Sequence, residues 1–212
     1  MATFHPPFPS PTVIERGDPS ATLVVLLHGR GSHEGDIIGL ADHLPDRLDY
    51  AAVRAPIAEG SGFAWFANRG IGRPIAESLA ETMAWFRGWL DSCAGDRTVV
   101  LVGFSGGAAF AGGLLLADPA RFGGAAILNG TLPFDAGVPT TAGRLALDDG
   151  GVPVFLSHGL HDTVIPAELQ ARTWEYLTGE SGADVVARHE PAGHELTMDG
   201  VAALAAWLEE HA

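Results

Sequence analysis

Short, nearly unbroken apolar runs alternate along the chain with longer stretches in which apolar residues recur every three or four positions. The runs are Leu23–Leu27, Tyr50–Val53, Thr98–Val102, Gly124–Leu128, Val152–Leu156 and Asp184–Ala187. Continuous hydrophobicity over so few residues suits strands covered on both faces. Between them, Ile75, Leu79, Met83, Phe86 and Leu90 mark one face of a helix that opens at Pro74, since proline suits a first helical position. Trp85 and Trp89 flank that stripe as further core. Ala108–Ala117 reads as a second helix, Leu169, Thr173, Tyr176 and Leu177 as a weaker stripe, and Val201, Leu204, Ala205 and Leu208 as a C-terminal helix. The alternation predicts an α/β architecture, a mainly parallel central sheet with helices on both faces. A single domain spans residues 1–212 in this reading, with 1–20 irregular or an edge strand. Segments 55–73 and 130–151 read as long loops, the first carrying Phe63, Trp65 and Phe66.

Composition narrows the chemistry. All 12 basic residues are arginine and lysine is absent, which excludes a P-loop, a lysine Schiff base and a Ser–Lys dyad. The net charge of -14 argues against nucleic acid and against stable association with anionic membranes. One cysteine, Cys93, allows no internal disulfide and no cysteine-rich zinc site. The N-terminal residues lack the charged start and apolar run of a secretory signal, and no stretch approaches the ~18 apolar residues of a span. The expected location is the cytoplasm.

Gly103-Phe104-Ser105-Gly106-Gly107 fits G-x-S-x-G, and its context gives the pattern meaning. The strongest strand runs into it and a helix leaves it, as a nucleophile elbow requires. Ser105 is thereby the candidate nucleophile. Gly179-Glu180-Ser181-Gly182-Ala183 is a near match, but it follows a helix and reads as a helix stop with a turn. A serine hydroxyl needs a base, and the base needs an orienting carboxylate. On a strand–elbow–helix scaffold the order is Ser, acid, His. His194, in a Pro/Gly-containing loop after the last strand, is the expected base. His158, His161, His189 and His211 are the other downstream histidines. Asp162, beyond the strand at 152–156 in a turn closed by Pro166, is the expected acid. Asp135 is its main rival, while Asp148 and Asp149 precede that strand.

An oxyanion hole needs two aimed backbone donors, each worth about 10²–10³ in rate. The Gly106 N–H is one candidate, and the Arg30 N–H, in His28-Gly29-Arg30-Gly31 after an early strand, is the other. The Arg30 side chain either selects an anionic substrate or pairs with Glu34 or Asp36. Trp65 with Phe63, and Leu132 in the second loop, are candidates for the substrate pocket, with a core role for Trp65 the alternative.

These segments resemble the phospholipase/carboxylesterase family of the α/β-hydrolase fold: His28-Gly29-Arg30-Gly31, the Ser105 elbow, His158-Gly159 with Asp162 through Pro166, and Gly193-His194-Glu195. Leu128-Asn129-Gly130-Thr131-Leu132-Pro133 is similar to that family's strand-end Ser-Gly-x-Leu-Pro, and Ala55-Pro56 with Trp65 to its Pro-and-Trp loop. The match runs from about Thr22 to the C-terminus. The resemblance implies hydrolysis of carboxylic esters, and sometimes thioesters, with no large lid domain; no cofactor is expected. It also implies Ser105, Asp162 and His194 as the triad. Two departures stand out. The residue after the nucleophile is Gly106 where acyl-protein thioesterases often carry Gln, and Asn129 stands where Ser is usual. They weaken a claim to thioesterase or lysophospholipase specificity.

The expectation is therefore a serine carboxylesterase acting on a small-molecule ester through an acyl-enzyme. A thioesterase or lysophospholipase on the same triad is the alternative, and a homodimer is left open. Two more distant readings are a metal-dependent hydrolase using His28, His33, Asp36, His158, His161 and Asp162, and a non-catalytic binding protein on this fold.

Overall fold

In the computed structural model, residues 8–148 and 150–212 are described; residues 1–7 of the N-terminal segment, and Asp149, lie outside them. The apolar runs all become strands of one seven-stranded sheet. In chain order its strands are β1 (Val13–Arg16), β2 (Leu23–Leu27), β3 (Asp49–Val53), β4 (Val99–Phe104), β5 (Gly124–Leu128), β6 (Pro153–Gly159) and β7 (Asp184–Glu190). In space the order is β1-β3-β2-β4-β5-β6-β7. Only β1 runs antiparallel to its neighbour, pairing Val13 with Val53 through Arg16 with Tyr50; the remaining pairings are parallel. β1, within residues 8–20, forms one edge of the sheet.

The strand residues divide by parity between two cores, as the period of two requires. Leu23, Val25, Leu27, Val99, Leu101, Ala125 and Ile127 face one layer. Helix α1 (Ala76–Cys93) and helix α2 (Gly106–Ala117) cover it, with Leu79, Phe86, Phe110 and Leu114 packed inward. Val24, Leu26, Val100, Val102, Ala126 and Phe155 face the other layer, against the segment Ile38–Leu48 and Val201, Leu204, Trp207 and Leu208 of helix α4 (Met198–His211). Helix α3 (Ala167–Glu175) continues into a wider turn over Tyr176–Glu180, so the weaker apolar stripe is helical as expected.

Residues 55–73 are not an unstructured loop. Ile57–Glu59 pairs with Gly62–Ala64, and Asn68–Gly70 with Arg73–Pro74, as two small hairpins. Both turns carry glycine at positive φ, Gly60 at 60° and Gly72 at 71°, which supplies the backbone conformation that other residues avoid. Among the described residues, no helix is long and apolar enough to cross a membrane.

Candidate active site

The carboxyl ends of β2, β4, β5, β6 and β7 converge on one edge of the sheet, where ligands bind in open α/β folds. Ser105 lies between β4 and α2 at φ 55°, ψ -114°, a strained conformation for a residue with a Cβ. Its neighbours explain the glycines. A Cβ at Gly103 would stand 2.3 Å from the Gly107 carbonyl oxygen, and one at Gly107 would stand 2.1 Å from that of Leu27. The turn is possible only where these side chains are missing.

The two candidate partners arrive at Ser105 from remote parts of the chain. His194 Nε2 lies 2.8 Å from Ser105 Oγ, and His194 Nδ1 lies 2.8 Å from Asp162 Oδ2. An ionised carboxylate only accepts, so Nδ1–H donates to Asp162 and leaves Nε2 of the neutral ring to accept the Ser105 hydroxyl. The Asp162 side chain is fully enclosed, at 0% exposure against 18% for His194. Its other oxygen, Oδ1, accepts from the Val164 N–H at 2.8 Å and the Ile165 N–H at 3.1 Å. The carboxylate is therefore fixed by its own turn. Asp135 is elsewhere, paired with Arg172 on the surface.

The loop after β2 lies beside the elbow. A Cβ on Gly106 would come within 3.2 Å of the Arg30 amide nitrogen, so the two peptide units are adjacent. Among the described residues, neither the Arg30 nor the Gly106 N–H has a backbone or side-chain acceptor. The loop is braced from three sides. Gly31 N–H donates to Phe63 O at 2.8 Å and Phe63 N–H to Ser32 O at 2.9 Å. Trp65 Nε1–H donates to His28 O at 2.8 Å. The His28 ring accepts from Ala55 N–H at Nε2 and donates from Nδ1 to Gly29 O; burial holds its pKa below the usual value.

A cavity of about 580 Å³ opens above Ser105 and His194. Its apolar wall includes Trp65, Phe66, Ala109, Ile71, Val164 and Ile165, and its polar wall includes Arg30, Glu59, Asn68 and Thr131. Two pocket expectations are corrected. Phe63 does not line the cavity; its backbone braces Gly31 and its ring lies 4.7 Å below the Arg54 guanidinium. Leu132 does not line it either, being 1% exposed and pressed against Gly112 of α2. Trp65 combines both readings, since it is 1% exposed and stacked on Phe110 at 4.5 Å, yet forms part of the wall. The Arg30 side chain pairs with neither Glu34 nor Asp36. It grips Glu59 at 2.7 Å through Nε, while Glu34 pairs with Arg54 and Asp36 accepts from Ser32.

Three further histidines have structural partners. His158, 2% exposed, donates from Nε2 to Gly130 O at 3.0 Å, and burial lowers its pKa to about 4. His189 stacks on Trp174 at 3.9 Å. His33 caps the single helical turn Glu34–Ile37. Among the described residues, no three of His, Cys, Asp and Glu gather where they could hold a metal ion.

The family profile described as Phospholipase/Carboxylesterase matches residues 9–212. A putative hydrolase MhqD of Bacillus subtilis (strain 168) is 26% identical over 203 residues, covering 93% of this chain and 97% of that protein. The carboxylesterase of Bacillus cereus superposes with a TM-score of 0.82 at 25% identity, over 95% of each chain. That of Mesorhizobium loti does so with 0.76 at 26% identity, over 89% of this chain and 88% of the other. The chain belongs to the phospholipase/carboxylesterase family of α/β-hydrolases.

Proposed function

We propose that this protein is a serine carboxylesterase that cleaves small carboxylic esters through an acyl-enzyme. The observation carrying the reading is the hydrogen-bonded series Ser105 Oγ–His194 Nε2 and His194 Nδ1–Asp162 Oδ2, each at 2.8 Å, at the floor of the cavity. His194 takes the Ser105 proton as Oγ attacks the ester carbonyl, and Asp162 stabilises the imidazolium that forms. The free N–H groups of Arg30 and Gly106 receive the oxyanion, and Gly106 adds the positive end of α2. His194 then returns the proton to the alkoxide leaving group. A water molecule, deprotonated by the same ring, releases the acid and restores Ser105.

The cavity supports neutral substrates of modest size. Among the described residues, Arg30 is the one cation of its wall and is matched by Glu59, and the apolar side of the wall includes Trp65, Phe66 and Ile71. A volume of about 580 Å³ is in the range of small-molecule sites. The test is a panel of p-nitrophenyl esters of graded length, with a thioester and a lysophospholipid, run beside fluorophosphonate labelling of Ser105. Turnover of short neutral esters together with labelling of Ser105 is the expected result. Turnover confined to the thioester or the lysophospholipid would overturn the carboxylesterase assignment.

A further inference from the structure

Leu128 and Asn129, where β5 ends, touch all three segments that carry Ser105, Asp162 and His194. The Ser105 N–H donates to Leu128 O at 2.9 Å, and the Asn129 N–H donates to Ser157 O of β6 at 2.8 Å. The Asn129 side chain then reaches two further backbones. Its Oδ1 accepts from the Gly159 N–H at 3.0 Å, at the base of the Asp162 turn. Its Nδ2–H donates to Glu195 O at 2.6 Å, the residue after His194. Asn129 is 2% exposed, so these bonds are made away from water and their loss would leave buried carbonyl and amide groups unpaired.

We infer that Asn129 is a positioning residue, whose carboxamide sets the His194 loop and the Asp162 turn in register with Ser105. The inference rests on the reading of those three residues as the triad. Direct backbone bonds already zip the two loops together, Leu160 N–H to Glu190 O at 2.8 Å and His161 N–H to Ala192 O at 2.9 Å. They fix the loops to each other but not to the elbow. The Asn129 side chain supplies that third link, because its backbone is one residue from the carbonyl that holds the Ser105 amide.

The identity of the residue follows from the same geometry. Asn129 stands at φ 43°, a left-handed conformation that Asn tolerates better than most residues with a Cβ. It carries an acceptor and a donor on one planar group, and the two loops present one N–H and one carbonyl. A serine hydroxyl could also donate once and accept once, but its single oxygen sits one bond closer to the backbone, whereas the carboxamide reaches the two loops with separate atoms.

The test uses the full chain with Asn129→Gly, Asn129→Asp and Ser105→Ala. Glycine keeps the left-handed backbone and removes both side-chain bonds. Aspartate is isosteric, keeps the acceptor for Gly159 and loses the donor to Glu195. The readouts are kcat and KM for a short p-nitrophenyl ester, the rate of fluorophosphonate labelling and the urea midpoint. In both Asn129 variants kcat and the labelling rate are expected to fall together by about 10²-fold, the scale of an ångström-sized misplacement. KM is expected to stay within about threefold, because Asn129 is not on the cavity wall. Folded variants that keep kcat within about threefold of the parent overturn the inference, as does a loss that appears only in KM. If glycine prevents folding, the isosteric aspartate decides. Full activity in Ser105→Ala would instead overturn the triad reading, and with it this one.

Discussion

Arg30 and Glu59 face each other at the cavity mouth as a two-point pair, with Nε 2.7 Å from one carboxylate oxygen and Nη2 2.5 Å from the other. Arg30 Nη1–H also donates to Phe66 O at 2.8 Å. The backbone of Arg30 thus stands beside the elbow while its side chain ties the β2 loop to the first hairpin. Glu59 neutralises the Arg30 charge on the wall. Glu59→Gln should free that charge and raise kcat/KM for esters carrying a carboxylate, relative to neutral ones, by roughly 3- to 10-fold. The figure is modest because the pair is partly solvated. Competition between methyl butyrate and the monomethyl ester of succinate measures it, and an unchanged ratio removes Glu59 as a charge filter.

Ser105→Ala should lower kcat by at least ~10⁴-fold, by analogy with triad deletions, and abolish fluorophosphonate labelling. His194→Ala should cost a similar factor rather than multiply the first, because the two groups act as a unit. Kinetics of the single and double variants check both statements.

Trp65→Phe removes the N–H that satisfies His28 O and keeps a ring against Phe110. A buried carbonyl left unpaired costs about 1–3 kcal/mol, so the urea midpoint should fall. The loop that holds the Arg30 N–H also loosens, so kcat should fall more than KM rises. A variant with unchanged kcat and altered chain-length preference would place Trp65 in substrate selection alone.

Burial keeps His158 neutral, with its pKa lowered to about 4 from 6.5. The unfolded chain binds this proton below about pH 6.5 and the folded one only below about pH 4. Stability from this group is therefore full above pH 6.5 and declines as the pH falls towards 4. The loss is on the order of 3 kcal/mol when complete. Urea unfolding of the parent and of His158→Gln, which keeps a donor for Gly130 O but does not titrate, should show a shallower decline for the variant between pH 7 and 4.5. Parallel curves would assign the acid sensitivity to other groups.

The legible parts of this protein are those where one local rule decides. Val99–Val102 and Leu23–Leu27 read as strands because their runs are short and rich in valine and leucine, which suits a strand covered on both faces. The Ser105 elbow is recognisable because Gly103 and Gly107 have no alternative to glycine, and Asp162 and His194 because each follows a strand into a turn-forming segment. What depends on remote partners could not be read locally. Phe63 and Leu132 are apolar and lie in the right loops, but which side of a loop faces the cavity is set by packing against Arg54 and Gly112. Arg30 meets Glu59 only because the segment after β3 folds into hairpins, and residues 57–74 are too short and mixed to announce them. The reach of Asn129 to Gly159 and Glu195 spans 30 and 66 residues, which no spacing rule covers.

The strand that delivers His194 has a consequence for how activity responds to stress. Among the described residues, β7 lies at the edge of the sheet and pairs only with β6, with Val186 42% exposed. Edge elements open at lower free energy than the centre. Ser105 follows β4, near the middle of the sheet, while His194 hangs from the edge strand β7. Activity that depends on Ser105 and His194 together reports on the outermost seam of the molecule. Esterase turnover should fade at a lower urea concentration than the loss of helical circular dichroism, and should appear last during refolding.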